Sequence, residues 1–119
     1  MSTVAIIDRF PLIRMGLNIL LDEHFSEAKI IAVSHVNELA KDVEADLFIL
    51  GIDVDADDDG QLMIAQFKSK FPWASLIVFG EGGLPAMTMS NLTDGVKGFI
   101  SKQSSIEELA TCIGTVLYN

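Results

Sequence analysis

No second cysteine accompanies Cys112 anywhere in the 119 residues. Neither an internal disulfide nor a thiolate metal cluster is therefore available, and a reducing, cytoplasmic setting is expected. The sequence also lacks any run of about eighteen apolar residues, and Met1 to Asp8 has no basic start with a long apolar stretch, so no membrane span or signal peptide is expected. Basic residues are scarce, with 8 Lys and Arg against 17 Asp and Glu and a formal net charge of −9. Contacts to nucleic-acid phosphates need clustered Lys and Arg, so DNA binding is expected only through an attached domain. Only three prolines interrupt the chain, and Pro11, Pro72 and Pro85 each fall at an expected helix boundary.

What is present is apolar residue in quantity, 50% of the chain, enough for one compact core but not for two domains. Short apolar runs alternate with segments of helical period. Thr3 to Ile7, Lys29 to Val33, Asp46 to Leu50, Leu76 to Phe79 and Val96 to Ile100 read as strands. The uninterrupted D-L-F-I-L at 46–50 suits a strand covered on both faces. Between them, helices are expected over Phe10 to Leu21, from a Ser34 cap through Val36, Leu39, Ala40 and Val43, from Gly60 to Pro72, and from about Pro85 to Leu92. A last helix runs to about Tyr118 behind a capping box of Ser104 and Glu107.

Five strands alternating with five helices predict an α/β fold, a doubly wound parallel sheet in the order 2-1-3-4-5. Function in such folds sits at the carboxyl ends of the strands. That places the candidates at Asp8 and Arg9, Gly51 to Asp59, Gly80 to Gly83, and Ser101 to Gln103.

Three strings carry a resemblance: I-I-D-R-F-P-L-I-R-M-G-L at 6–17, A-D-L-F-I-L-G at 45–51 and D-G-V-K-G-F-I-S-K at 94–102. In that order they resemble the first, third and fifth strands of bacterial response-regulator receivers, CheY-like domains of the type that precedes a LuxR-like helix-turn-helix. The resemblance covers essentially the whole chain. It implies two acidic Mg²⁺ ligands after the first strand, a phosphorylatable aspartate ending the third, a hydroxyl residue after the fourth and a lysine after the fifth. Asp8 and Lys102 match, but Arg9, Gly51 and Gly80 stand where a second acid, the phosphoacceptor and the hydroxyl are expected. Phe99 matches the family's switch aromatic, and packing as a plain buried strand residue explains it equally well.

The chemistry changes accordingly. One carboxylate with an arginine and a lysine makes a cationic pocket, which repels a hard dication that seeks oxygen ligands. Glycine supplies no nucleophile, so no acyl phosphate can form at residue 51. No metal and no cofactor is expected, and no catalytic residue. The reading that follows is a non-enzymatic, phosphorylation-independent regulatory or dimerisation module of a signalling or transcription-regulatory protein. An internal ion-pair cluster accounts for Asp8, Arg9 and Lys102.

Two further readings stay open. Asp53, two positions beyond Gly51, could face the same side and serve as a substitute phosphoacceptor with Mg²⁺. Alternatively, Arg9 and Lys102 could bind a small anion where a phosphoryl group would sit. The acidic run also approaches a calcium loop, with Asp55, Asp57, Asp59 and Gly60 at four of its positions, but Gln66 stands where the bidentate carboxylate belongs. His24 and His35 read as surface residues, and Cys112 as a small buried hydrophobe. The partner expected is a second copy or a regulatory protein. It would meet the chain at the 85–92 helix, where Met87 and Leu92 are apolar, together with the fifth strand and the last helix.

Overall fold

The computed structural model describes residues 2–52, 59–80 and 96–118. Within them, β1 (Thr3–Ile7), α1 (Pro11–His24), β2 (Lys29–Val33), β3 (Leu47–Ile52), α2 (Asp59–Lys70), β4 (Leu76–Gly80), β5 (Val96–Ser101) and α3 (Ile106–Leu117) follow in chain order. The strands form one parallel sheet in the order β2-β1-β3-β4-β5. This is the expected doubly wound arrangement.

Alternation along each strand divides the core in two. Ala5, Ile7, Phe48, Leu50 and Ile52 face one side, where Ile64, Phe67 and Phe71 of α2 and its end cover them. Val4, Ile6, Leu47, Ile49 and Ile77 face the other, beneath Leu17 and Leu21 of α1 and Leu109 and Ile113 of α3. All six residues of β3 are buried, as its unbroken apolar run requires of a central strand. Phe48 packs edge-on to Phe67 at a centroid distance of 5.1 Å and lies 4.9 Å from Phe71. The β4–β5 register slips between Leu76 and Ile77, which pair with Val96 and Gly98 and leave Lys97 as the extra residue of a bulge. Gly98 is needed for close packing, since a Cβ there would stand 3.0 Å from Cys112 Sγ on α3.

Two expectations need correction. The segment after β2 is not an α-helix but a single 3-10 turn, Val36–Glu38. Its start is fixed by His35, whose Nδ1 accepts the Asn37 N–H, and by Glu38, which accepts from Ser34 and His35 N–H. Its carbonyls are taken by a different element: Lys70 Nζ donates to the oxygen of Val36 at 3.0 Å and to that of Leu39. An ammonium ion on those oxygens replaces the helical N–H partners that would have continued the helix.

The capping box of the last helix lies one residue later than expected. Ser105 and Glu108 satisfy each other's backbone N–H groups. Of the five expected helices, three α-helices and the one 3-10 turn are found among the described residues. The expected 85–92 helix lies outside the described residues, with Met87 and Leu92. Asp53 lies outside them as well. Asp59 already opens α2, so the calcium-loop reading loses the irregular backbone it would need at Asp59 and Gly60.

Candidate functional site

The site is built from Asp8 directly after β1, Gly51 near the end of β3, Gly80 at the end of β4 and Lys102 directly after β5. Asp8 is 1% exposed, the one buried charged residue among those described. Its backbone N–H donates to Val33 O at 3.1 Å, which ties it to the edge strand β2. The chain then turns through Arg9 and Phe10 into Pro11. Asp8 Oδ1 accepts the Phe10 N–H at 2.8 Å, a side-chain turn that aspartate makes readily. Pro11 occupies the first helical position of α1, where a missing N–H costs nothing. Arg14, one turn into α1, donates from Nη1 to the Asp8 carbonyl at 2.7 Å.

Asp8 Oδ2 points toward Gly51. A Cβ built on Gly51 would stand 1.7 Å from that oxygen and 2.6 Å from Asp8 Cγ. The volume a side chain at position 51 would take is thus already filled by a carboxylate from the neighbouring strand. The same happens next door. A Cβ on Gly80 would stand 2.9 Å from Ile52 Cγ1, so the apolar Ile52 holds the space of the expected hydroxyl residue. Both glycines are sites of substitution by a neighbour rather than open cavities.

Lys102 completes the cluster. Its backbone N–H donates to Gly80 O at 2.7 Å, and its Nζ lies 3.3 Å from Asp8 Oδ2, with the Lys102 side chain 9% exposed and that of Asp8 1%. Oδ2 accepts no hydrogen bond among the described residues. The contact is a close ion pair whose attraction is Coulombic, strengthened by the low dielectric around it. The Phe10 and Phe79 rings flank the ammonium at 5.5 and 5.8 Å from their centroids, within range for a cation–π contribution.

The structure therefore brings Asp8, Gly51, Gly80 and Lys102 to one sheet edge. Arg9 is exposed, with its guanidinium 4.7 Å from the Phe10 ring centroid. Phe99 pairs with Val78 and is half-buried against the α2-side core. Two contributors went unnoticed in the sequence, Phe10 and Arg14, and Ile52, within the candidate segment Gly51 to Asp59, was given no role of its own. Phe10 adjoins the candidate pair Asp8 and Arg9, and that adjacency was the available signal. Arg14 gives none beyond its place one turn into the helix.

A Mg²⁺ ion, as receiver chemistry requires, does not fit the described residues. Asp8 is a single carboxylate, its Oδ2 is already neutralised by Lys102, and positions 9 and 51 supply no second acid. The remaining titratable groups lie elsewhere. His24 and His35 are exposed. Cys112 is half-buried against the α1/α3-side core, and burial pushes its thiol up from its ordinary value.

No protein-family model matches the chain, and no curated protein matches it. Solved structures do. A signal receiver domain of a two-component histidine kinase from Clostridium thermocellum aligns with a TM-score of 0.80 at 22% identity, covering 99% of this chain and 98% of that one. A LuxR-family DNA-binding response regulator from Silicibacter pomeroyi aligns at 0.79 and 23% identity over 98% of this chain and 92% of that one. Another from Staphylococcus aureus aligns at 0.75 and 20% over 98% and 99%. At these identities the likeness establishes the architecture: the chain has the fold of response-regulator receiver domains.

Proposed function

We propose that this domain is a phosphorylation-independent, non-enzymatic regulatory module that acts through protein contacts, as a homodimer or on a regulatory protein. One observation carries the reading. The side-chain space of residue 51 is occupied by the Asp8 carboxylate, which Lys102 neutralises. A phosphoacceptor domain must leave that space to the acceptor and keep its lysine for the incoming phosphoryl oxygens. Here both are committed to each other in the resting chain. Contact with DNA belongs, in this reading, to an attached domain of a longer protein; two of the structures that share the fold are named as LuxR-family DNA-binding response regulators.

The test is incubation with a small phosphodonor such as acetyl phosphate and Mg²⁺, followed by intact mass. No gain of a phosphoryl group is the expected result. A gain that disappears in Asp53→Asn would overturn the reading and establish Asp53 as a substitute acceptor.

A further inference from the structure

α1 and α3 cover the same face of the sheet and leave a cleft of about 260 Å³ between them. Its floor is buried, with Leu17 and Leu20 from α1, Leu109 from α3 and Phe79 from β4. Leu12 and Ile106 stand exposed at its rims. The α1 wall follows one helix face through Leu12, Gly16, Leu20 and Glu23. From Leu12 to Glu23 the helix rises roughly 17 Å. Spread over that length, 260 Å³ is a cross-section of roughly 15 Å², which suits one extended hydrocarbon chain and is too narrow for a helix or a strand.

Gly16 keeps that slot open. A glycine inside a helix destabilises it relative to alanine, and no packing contact among the described residues requires one here. A Cβ at position 16 would meet no atom within 4 Å. A side chain at 16 would instead project between Leu12 and Leu20, into the cleft that all three residues line.

The two ends of the slot differ in charge. At one end Lys102 and Ser104 meet the starts of α1 and α3, where both helix dipoles place partial positive charge. In a chain of net charge −9, residues 9–21 on that side contain two arginines and no carboxylate. The acids in the first turn of α3, Glu107 and Glu108, do not line the cleft. Asp8 lies 3.3 Å from Lys102 Nζ, but its Oδ2 accepts no hydrogen bond among the described residues, so the pair uses none of the ammonium's N–H donors. At the other end the walls stay apolar as far as Glu23, which repels a second anionic group.

From the width of the slot, its glycine and its polarity, we infer that the α1/α3 cleft binds an aliphatic monocarboxylate. The hydrocarbon chain runs along Gly16, and the carboxylate meets Lys102 and Ser104. An apolar body with one charged anchor is the usual division of labour in a small-molecule site. The inference deepens the proposed reading, on which it rests for its regulatory sense: a module that receives no phosphoryl group takes this ligand as its input. A carboxylate on Lys102 competes with Asp8 for one ammonium, so occupancy of the cleft is felt at the sheet edge beside Gly51 and Gly80.

Calorimetric titration of the full chain with sodium octanoate tests it, alongside sodium hexanoate and 1-octanol. Octanoate should saturate a single site and bind about tenfold tighter than hexanoate, since each buried methylene tightens binding roughly fourfold. 1-Octanol has the same chain without the charge and should bind at least about tenfold more weakly. Gly16→Leu should abolish octanoate binding while melting no lower than the unaltered chain, because leucine favours the helix and fills only the cleft. No saturable octanoate binding at millimolar concentrations overturns the inference, as does binding indifferent to Gly16→Leu. Equal affinity for octanoate and 1-octanol overturns the carboxylate assignment. Sedimentation velocity reads the rival occupant: a dimer dissociated by Gly16→Leu, in a chain that takes no octanoate, gives the cleft to a second copy and overturns the inference too. None of these outcomes touches phosphorylation independence, which the phosphodonor experiment reads separately.

Discussion

Asp8 and Gly51 share one side-chain volume: the carboxylate of the first lies 1.7 Å from where a Cβ of the second would be. Asp8 directly follows β1 and Gly51 lies in the adjacent strand β3, and the pairing of those strands up to Ile7 and Leu50 prevents the two residues from moving apart. Any side chain at 51 therefore has to displace a buried, ion-paired carboxylate.

Gly51→Ala should destabilise the fold by about 1–3 kcal/mol through overpacking. In an Asp8→Ala background the same change should cost well under that, because the space is then vacant. A double-mutant cycle by chemical denaturation measures the coupling, expected at roughly 1 kcal/mol or more. Additive effects would show that the carboxylate does not occupy the site.

Removing the ammonium group is a different kind of loss. Lys102→Met leaves a 1% exposed carboxylate with the Phe10 N–H as its hydrogen bond and without the ammonium that lay 3.3 Å from its Oδ2. Losses of roughly 3–5 kcal/mol follow when one partner of a buried pair is removed. Adding Asp8→Asn to Lys102→Met should recover part of it, since the orphaned charge goes too. Melting curves of the three variants decide the matter.

Metal should have no effect. Calorimetric titration with Mg²⁺ at millimolar concentrations is expected to show no saturable heat, and the melting temperature should not respond. A saturable site abolished by Asp8→Ala would show that Lys102 yields its place to a dication.

Cys112 offers a pH-dependent readout. Burial raises its folded thiol above the ordinary value, so the native chain holds less thiolate than the unfolded chain near pH 8. Alkylation with iodoacetamide should be slow in buffer and fast in denaturant. A raised acid in the folded state binds more protons there, so its contribution to stability is constant below the unfolded thiol pKa. It declines as pH rises through the window toward the folded value.

The strands were legible because burial on both faces forces continuous apolar runs, and D-L-F-I-L at 46–50 has no other comfortable use. Their order followed from crossover handedness. The segment after β2 was misread for a specific reason. Val36, Leu39, Ala40 and Val43 have helical spacing, but the carbonyls of Val36 and Leu39 are claimed by Lys70, thirty-odd residues away and visible only once α2 is in place. The last helix was displaced by one residue because Ser104-Ser105 and Glu107-Glu108 offer two capping boxes with the same spacing. At the site, the sequence identified Asp8, Gly51, Gly80 and Lys102 as departures and remnants. It could not reveal that Asp8 and Ile52 fill the two vacancies, since that depends on cross-strand distances of a few ångströms.

The position of β1 between β2 and β3 has a consequence for how the chain comes to be made. Both neighbours of β1 are complete once residue 52 has been synthesised, so an amino-terminal half-sheet of three strands can gather early, before its remaining partners exist. Asp8 would then be enclosed while the residue that balances its charge is still to come. Lys102 emerges long after Asp8, and it reaches Asp8 only after β4 and β5 have docked. This contact spans most of the chain length, and such distant pairings slow folding. The nascent half-domain carries an electrostatic debt that is settled only when Lys102 arrives, which favours late locking of the sheet over premature closure.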